Sequence, residues 1–555
     1  MQFEKYRQPV FWKNKSEDPA FKSWISQLKA EFDVCKQKPA PFVSYTKRRF
    51  FYETGNRSAM EVPYFEKRSF LAVSALLALL FPESKEYIDA LHDLLWDVCE
   101  EYNWILPAHT ASPIARDKYV DLFCTETGAA LSEICWYLGD RIDPDVRALV
   151  KANLEEKLFK PFAENTYPWE KMKMNWTAVC ISQMAIAMLF SEPSLFEENI
   201  PRFNRAMECF MEGFPEDGSC LEGLGYWQYG FGRFVYYADA LSKYTEGKTD
   251  LFDDPKVKRV AEFAPKCCIH GGEVTFSDAM PRVLITEDLA QYIHDKLEAP
   301  LLPEEYRTFG GRWMERLRAL LYARPNRKAA PLVLEDHYFK EGGQLIINKK
   351  GYSLALKAGF NDEPHNHNDV GHFIISADEG QLLCDIGSAT YTLQYFRADT
   401  RYTDYLCNSS EGHSVPVIDG CFQKPGREYA GTLEYRGGCS AEIEMAGAYG
   451  LEQLKGLKRA FRWTDESVTV TDVYEGSFKT AVERFVSLVK PCYENGVLSI
   501  GRLSAKAPGC SISERTHRPH AGAPEGKDIK VYLIDVPLKP GEKRFEITFT
   551  IKDKA

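Results

Sequence analysis

The sequence PHNHNDVGHF at residues 364–373 is the stretch around which the rest of the chain can be interpreted. It places three histidines and an aspartate in one short polar loop that leads into an apolar segment. Neutral imidazoles and carboxylates are ligands that zinc takes in tetrahedral sites, often with one position left for water. The loop therefore indicates a metal or catalytic site that is held in place by the strands following it.

Two further polar segments complete this candidate site. The segment QLLCDIG at 381–387 reads as a strand that pairs with the strand after the loop through a turn at 378–380, which returns Asp385 to the neighbourhood of His367. The segment EGHSVPVI at 411–418 places His413 before another predicted strand. We predict one zinc ion per chain, bound by His367, Asp385 and His413 and mainly structural. The alternative is that backbone groups satisfy these loop histidines, and no local Cys-x-x-Cys signature decides between the two.

The same residues resemble a family pattern. A His-x-His-x-Asp-x-Gly-x-Phe loop, a Leu-Leu-x-Asp-x-Gly strand and a His-Ser pair before a strand ending in Asp419-Gly420 resemble the heparinase II/III-like polysaccharide lyases. The similarity extends to NWTAVC at 175–180 and DGSCLEGLGYW at 217–227. The resemblance implies an α+β multidomain chain, in which an incomplete (α/α) toroid of helices precedes an antiparallel β-sandwich.

The hydrophobic pattern divides the chain in the same order. Apolar residues recur at helical spacing from about residue 65 to 325, and at a spacing of two after Pro331. A bundle or a solenoid would fit the first part equally well, so the toroid rests on the resemblance. Because ARPNRK at 323–328 looks like a linker, we predict a helical domain at 1–328. The antiparallel β-sandwich domain is predicted at 329–555, with a split into two sheets or sub-domains left open.

Composition limits the classes of partner. The chain has 555 residues and a net charge of −11, which argues against nucleic acid and anionic membrane surfaces as partners. The apolar run at 70–81 is shorter than the ~20 residues of a spanning helix. The first residues lack a basic region followed by an apolar stretch, so we expect a cytoplasmic protein, or a periplasmic one if a signal was removed. We also expect a homodimer.

The resemblance implies a reaction and the residues for it. Lyases of this kind cleave uronic-acid-containing acidic glycans by β-elimination, which needs a group to neutralise the sugar carboxylate, a proton acceptor and a proton donor to the leaving oxygen. Relatives use an Asn-His pair, a tyrosine and often a histidine from the sandwich. By position, Asn175, Tyr226 and His365 match these roles, and Tyr229 is the second choice for the tyrosine.

One departure leaves the base open. Trp176 follows Asn175 where the family pattern has histidine, so we consider His109 as a replacement base. Each of these residues also has a structural explanation. Asn175 could cap the helix that it precedes, Tyr226 could be a packed aromatic, and His109 could be satisfied by backbone groups.

Other residues are candidates for substrate binding. Trp104 and Trp176 could stack on sugar rings, Glu222 is a further candidate, and Arg397 and Arg401 could bind a carboxylate in bidentate fashion. Core packing for the tryptophans and ordinary surface charge for the arginines are the alternatives.

Two other functions stay open at this stage. One is a toroid glycoside hydrolase that uses Asp217 and Glu222 as its carboxylate pair. The other is a carbohydrate-binding relative that has lost the base, which the tryptophan at position 176 makes credible. The product separates them, because an unsaturated uronate absorbs in the ultraviolet and a hydrolysis product does not.

Overall fold

The computed structural model describes residues 3–114, 119–280, 282–520 and 527–552, and the chain forms two compact units. Unit 1 contains residues 1–214, 227–261 and 284–331, and unit 2 contains residues 215–226, 262–283 and 332–555. The predicted fold class, helices followed by antiparallel sheets, is confirmed. Two short segments from the helical half of the sequence nevertheless belong to unit 2, and one of them carries Tyr226.

Unit 1 is built from helices that bury their apolar residues. The helix Asn175–Ser191 is apolar on every side, and nearly all of its residues are buried, as expected for a central helix. The helix Leu122–Leu138 begins where the Asp121 carboxylate accepts the backbone N–H of Cys124. The α-helices described in this half of the chain are Pro9–Glu17, Lys22–Cys35, Tyr45–Thr54, Ser58–Leu80, Lys85–Cys99, Leu122–Leu138, Pro144–Leu154, Lys160–Glu164, Asn175–Ser191, Pro193–Met211, Leu224–Tyr244, Pro255–Ala261, Phe263–Lys266, Glu287–Leu297 and Trp313–Tyr322, of which Phe263–Lys266 belongs to unit 2.

Unit 2 contains antiparallel sheets. A large sheet has the spatial order Cys492–Glu494, Val497–Ile500, Leu503–Lys506, Arg544–Ile551, Ser467–Gly476, Leu454–Trp463, Ser440–Glu444, Gly426–Glu434 and Gly359–Asn361. A second sheet has the order Gly380–Leu383, Phe373–Ala377, Tyr352–Lys357, Gln344–Lys349 and His337–Phe339. A third has the order Val417–Ile418, Ala481–Ser487, Ile529–Pro537 and Ser511–His517. Buried residues of all three sheets form a common hydrophobic core, which includes Leu354, Phe461 and Phe485.

Strand ends in these sheets position the polar loops. The loop at 362–372 connects the strand Gly359–Asn361 to Phe373–Ala377. The predicted hairpin is present, with Gly380 opposite Ala377, and Asp385 follows its second strand. His413 lies just before the strand Val417–Ile418 of the third sheet, whereas the loop at 362–372 leads into a strand of the second sheet. The polar loops are therefore attached to different sheets.

Across the parts of the chain that the structure describes, no helix is both long enough and apolar enough to cross a membrane.

Candidate metal centre and catalytic residues

The predicted zinc ligands lie close together in unit 2. His367 Nδ1 is 3.2 Å from His413 Nε2 and 3.9 Å from Asp385 Oδ1, and His413 Nε2 is 3.7 Å from Asp385 Oδ2. All three side chains are fully buried. Ligand bonds of about 2.0–2.1 Å in a tetrahedral zinc site place neighbouring ligand atoms about 3.3 Å apart. The spacing therefore fits a single zinc ion.

Hydrogen bonds on the far side of each imidazole fix which nitrogen carries the proton. His367 Nε2 donates to Asp278 Oδ1 at 3.1 Å, and His413 Nδ1 donates to the carbonyl of Ser409 at 2.9 Å. His367 Nδ1 and His413 Nε2, the two nitrogens not used in these bonds, consequently point toward each other. A cation at this point satisfies both nitrogens, and carboxylate or carbonyl partners of this kind commonly orient metal-bound histidines.

The third ligand is incomplete in the same way. Asp385 Oδ1 accepts the N–H of Gly387 at 2.8 Å, whereas the buried Oδ2 has no hydrogen-bond partner in the described part of the chain. A buried carboxylate oxygen without a partner is costly. The donor set of two imidazoles and one carboxylate fits zinc, and the binding of zinc stays a prediction.

Two neighbouring polar residues are engaged in other interactions. Asp369 lies in the same cluster but forms an ion pair with the buried Lys357 at 2.9 Å. His372 Nδ1 accepts the backbone N–H of Ser414 at 2.9 Å, so its Nε2 carries the proton and lies 3.9 Å from Asp385 Oδ2. The geometry therefore favours His413 over His372 as the ligand.

Asp278 is the residue that sequence reasoning missed. Its Oδ1 accepts hydrogen bonds from His367 and from the Tyr395 hydroxyl, and its Oδ2 contacts His365 Nδ1 at 3.0 Å and Arg401 Nη2 at 3.1 Å. Burial alone would raise the pKa of Asp278, but Arg401 and the hydrogen bonds from the two histidines outweigh it and hold this pKa well below its usual range. One ionised carboxylate therefore joins a predicted zinc ligand to a predicted catalytic histidine.

Tyr226 and His365 are brought together in unit 2. Their rings stack with centroids 3.7 Å apart, and the Tyr226 hydroxyl lies 2.7 Å from that of Tyr391. Burial, followed by the charge of Asp278, raises the pKa of the Tyr226 phenol, although the hydrogen bond with Tyr391 opposes this shift. His365 has a φ of 58°, in the left-handed region that residues other than glycine rarely adopt. Strained backbone of this kind is commonly found at functional sites.

The histidine considered as a replacement base lies in unit 1. His109 Nδ1 is 2.7 Å from Asp121 Oδ2, and its ring meets the edge of Trp176 at 4.7 Å between centroids. Asn175 is buried at the first position of its helix, and Met174, rather than Asn175, occupies the N-cap position. Asn175 is therefore the first residue within the helix, and His109 and Trp176 lie side by side.

Tyr229 belongs to unit 1 as well. Arg312 lies over its ring at 4.7 Å, and Arg312 forms an ion pair with Glu126. A side chain at Gly230 would come within 3.2 Å of Asn175, so this glycine allows the Tyr229 helix to approach the start of the helix at 175–191. Tyr229, the second-choice tyrosine, thus has the cationic side chain of Arg312 beside its ring.

The predicted substrate-binding residues differ in their surroundings. Trp104 is fully buried and its indole N–H donates to the carbonyl of Val98, so it packs in the core rather than at a sugar-binding surface. Three of the five N–H donors of Arg401 bond to Asp278 and to the carbonyls of Asn366 and Tyr395, so its buried guanidinium is held by the protein itself. Arg397 is exposed and paired with Asp399, and Glu222 is buried.

At the level of sequence, no family model and no curated protein matches this chain. Solved structures do match its fold. Heparinase III has a TM-score of 0.61 at 13% identity, over 89% of this chain and 78% of the other. A mutant of heparan sulfate lyase HepC from Pedobacter heparinus has a TM-score of 0.56 at 10% identity, over 95% and 88%. Streptomyces coelicolor A3 chondroitin AC lyase in complex with chondroitin sulphate has a TM-score of 0.57 at 11% identity, over 100% and 83%. This likeness establishes that the chain has the toroid and β-sandwich fold of these lyases.

Proposed function

We propose that this chain is a heparinase II/III-like polysaccharide lyase that cleaves uronic-acid-containing acidic glycans by β-elimination. The observation that carries the proposal is the stacked pair of Tyr226 and His365, which is anchored through Asp278 to the residues that fit a zinc ion. The fold shared with heparinase III and chondroitin AC lyase supports the reaction class.

Tyr226 is suited to protonate the leaving oxygen. β-Elimination removes the proton at C5, next to the sugar carboxylate, and expels the oxygen at C4, which needs a proton. Since burial raises the pKa of Tyr226, its phenol is protonated at neutral pH and can act as the acid. Acting as the base would require a lowered pKa, so the surroundings of Tyr226 favour the acid role.

His365 is suited to accept the C5 proton. Its Nδ1 donates to the ionised Asp278, so the lone pair of its Nε2 points away from that carboxylate. No described residue forms a hydrogen bond with this Nε2, which leaves it open to substrate. A carboxylate that orients a histidine in this tautomer is the arrangement found in serine hydrolases, where the histidine is a general base.

The zinc site has a supporting role in this proposal. Zinc, when bound, would cross-link the loops that carry His367, Asp385 and His413 and so contribute to stability. His365 lies two residues before His367, one of the predicted ligands. An ordered loop at His367 therefore also fixes the position of the His365 imidazole.

Two residues of unit 1 are also part of the proposal. Asn175 is the candidate for neutralising the substrate carboxylate, by position in the family pattern alone. His109 is the alternative proton acceptor, because Asp121 orients it as Asp278 orients His365. A cytoplasmic location and a homodimer stay predictions.

The hydrolase alternative finds little support in the geometry. Asp217 Oδ2 accepts hydrogen bonds from the backbone N–H groups of Glu341 and Gly342. Its Oδ1 accepts hydrogen bonds from the backbone N–H and the hydroxyl of Ser219. Both oxygens of Asp217 thus hold loops together, whereas a hydrolase would need this carboxylate to face the sugar.

A product assay tests the proposal. The zinc-supplemented protein is incubated with oligosaccharides of heparan sulfate, of chondroitin sulphate and of a neutral glycan, and ultraviolet absorbance is followed. We expect absorbance to rise with an acidic glycan and not with the neutral one. New reducing ends without absorbance would indicate a hydrolase, and binding without either product would indicate a non-catalytic carbohydrate-binding protein.

A further inference from the structure

We propose that Arg459 is a positioning residue that holds the two histidine-bearing loops of the metal centre in the geometry that zinc requires. The inference rests on the proposed zinc site and is independent of the reaction. Arg459 lies in the strand Leu454–Trp463 of the large sheet, and its side chain is fully buried.

A single nitrogen of Arg459 contacts both loops. Its Nη1 donates to the carbonyl of Gly371 at 3.0 Å and to the carbonyl of Ser414 at 2.6 Å. Gly371 belongs to the loop that carries His367, and Ser414 directly follows His413. The guanidinium therefore fixes the separation of the two loops from the side of the sheet.

The rest of the guanidinium is anchored in the sheet. Its Nε lies 2.9 Å from Asp472 Oδ1, and its Nη2 donates to Asp472 Oδ2 at 2.5 Å and to Glu483 Oε2 at 2.8 Å. Asp472 is the cross-strand partner of Arg459. All five N–H groups of an arginine are thus used. The planar guanidinium cannot shift toward one loop without losing bonds to the sheet.

Arg459 pairs with two carboxyl groups, those of Asp472 and Glu483. Burial, followed by the charge of Asp472, raises the pKa of Glu483 well above its usual value, whereas the charge of Arg459 opposes this shift. A buried pair that is balanced and fully hydrogen-bonded holds a defined geometry, whereas loss of either partner leaves an uncompensated charge.

Ser414 passes this restraint to the imidazoles. Its N–H donates to His372 Nδ1 at 2.9 Å, its Oγ accepts the N–H of Val486 at 3.1 Å, and its carbonyl accepts from Arg459. The residue after His413 is therefore fixed through three of its atoms. His367 Nδ1 and His413 Nε2 lie only 3.2 Å apart, which is the spacing of two ligand atoms of one tetrahedral zinc ion. A restraint from the sheet opposes their separation.

The test measures zinc affinity in the full chain by competition with a chromophoric chelator. Arg459→Met combined with Asp472→Asn removes both charges together and leaves the carbonyls of Gly371 and Ser414 without their donor. We expect zinc to bind about 10- to 100-fold more weakly, the range seen when partners of metal ligands are removed. An unchanged affinity in the folded double variant overturns the inference.

A matched pair in unit 1 separates positioning from general destabilisation. Arg318 and Glu133 form a buried ion pair, with Nη2 and Oε1 2.9 Å apart. Arg318→Met with Glu133→Gln should lower the melting temperature of the metal-free protein without changing zinc affinity. If both double variants weaken zinc binding equally, Arg459 has no specific role.

The wild-type chain supplies a second measurement in case the Arg459 variant does not fold. Backbone N–H groups of Gly371 and His413 donate to the carbonyls of Lys357 and Ser410. Hydrogen exchange of these amides should remain slow in zinc-free protein if Arg459 orders the loops, and fast exchange overturns the inference. Because neither measurement uses turnover, an absence of lyase activity leaves the result intact. Wild-type protein that binds no zinc rejects the metal proposal itself.

Discussion

His365 Nδ1 lies 3.0 Å from Oδ2 of Asp278, a residue 87 positions earlier in the chain. The other oxygen of the same carboxylate accepts a hydrogen bond from His367, the predicted zinc ligand. The candidate metal centre and the candidate catalytic histidine therefore share one anchor. A change at this anchor should affect both at once, which a change at either histidine would not.

Asp278→Asn tests this shared anchor. The amide cannot accept from all the present donors or balance Arg401, so we expect zinc to bind about 10- to 100-fold more weakly and turnover to fall with it. Zinc competition and the ultraviolet assay measure the two effects. Asp399→Asn is the control, because Asp399 is exposed and its described ion pair is with Arg397. Loss of turnover with full zinc affinity would separate the two roles of Asp278.

His413→Asn and His372→Asn form a matched test of the ligand set. An asparagine can replace the Nδ1 hydrogen bond of either histidine but offers nothing at the position of Nε2. Since His413 presents Nε2 to the site, and His372 uses Nδ1 to accept from Ser414, the first variant should lose zinc and the second should keep it. Elemental analysis of protein purified without added metal gives the occupancy. The opposite result would place His372 in the ligand set.

The sequence predicts well where local pattern decides the structure. The hairpin that returns Asp385 follows from alternating apolar residues around a glycine turn, and the loop histidines follow from their spacing. Asp278 could not be found in this way, because it lies in an irregular segment of the helical half that unit 2 includes. Its preceding residue, Ser277, has a φ of 70°, which no sequence pattern indicates.

Burial is the second property that the sequence leaves open. Trp104 and Trp176 were equivalent candidates for sugar stacking, yet the first is fully buried and the second half-buried beside His109. Helical periodicity reports which face of a helix is apolar, but it does not distinguish a core from a concave binding surface. Similarly, the presence of an arginine at position 401 does not indicate that its guanidinium forms an ion pair with Asp278.

Asp288 provides a test of pH dependence away from the metal centre. Burial raises its pKa to about 7, against about 3.9 in an unfolded chain. Between these values the unfolded state binds fewer protons than the folded state, so the contribution of Asp288 to stability falls as pH rises from about 4 to about 7. Asp288→Asn removes this pH-dependent loss of stability, because the amide does not titrate. Its melting temperature relative to wild type should therefore be higher at pH 8 than at pH 5.

The control for this prediction is Asp140→Asn, since the Asp140 side chain is 99% exposed. That variant should follow the wild-type pH profile. An Asp288→Asn variant whose melting temperature differs from wild type by the same amount at both pH values would contradict a shifted carboxyl group.

Tyr226→Phe tests the proposed acid. The change keeps the ring that stacks on His365 and removes the hydroxyl that meets Tyr391, so the fold and zinc content should be retained. Turnover should fall by roughly 100-fold or more, the usual contribution of a general acid. Tyr229→Phe is the control, because it makes the same change at the second-choice tyrosine. Tyr229 lies in unit 1 and has Arg312 over its ring. If Tyr226→Phe stays active while Tyr229→Phe is inactive, the acid is Tyr229. If both variants stay active, the tyrosine mechanism is rejected, and His365 with Asp278 and His109 with Asp121 become the pairs to compare.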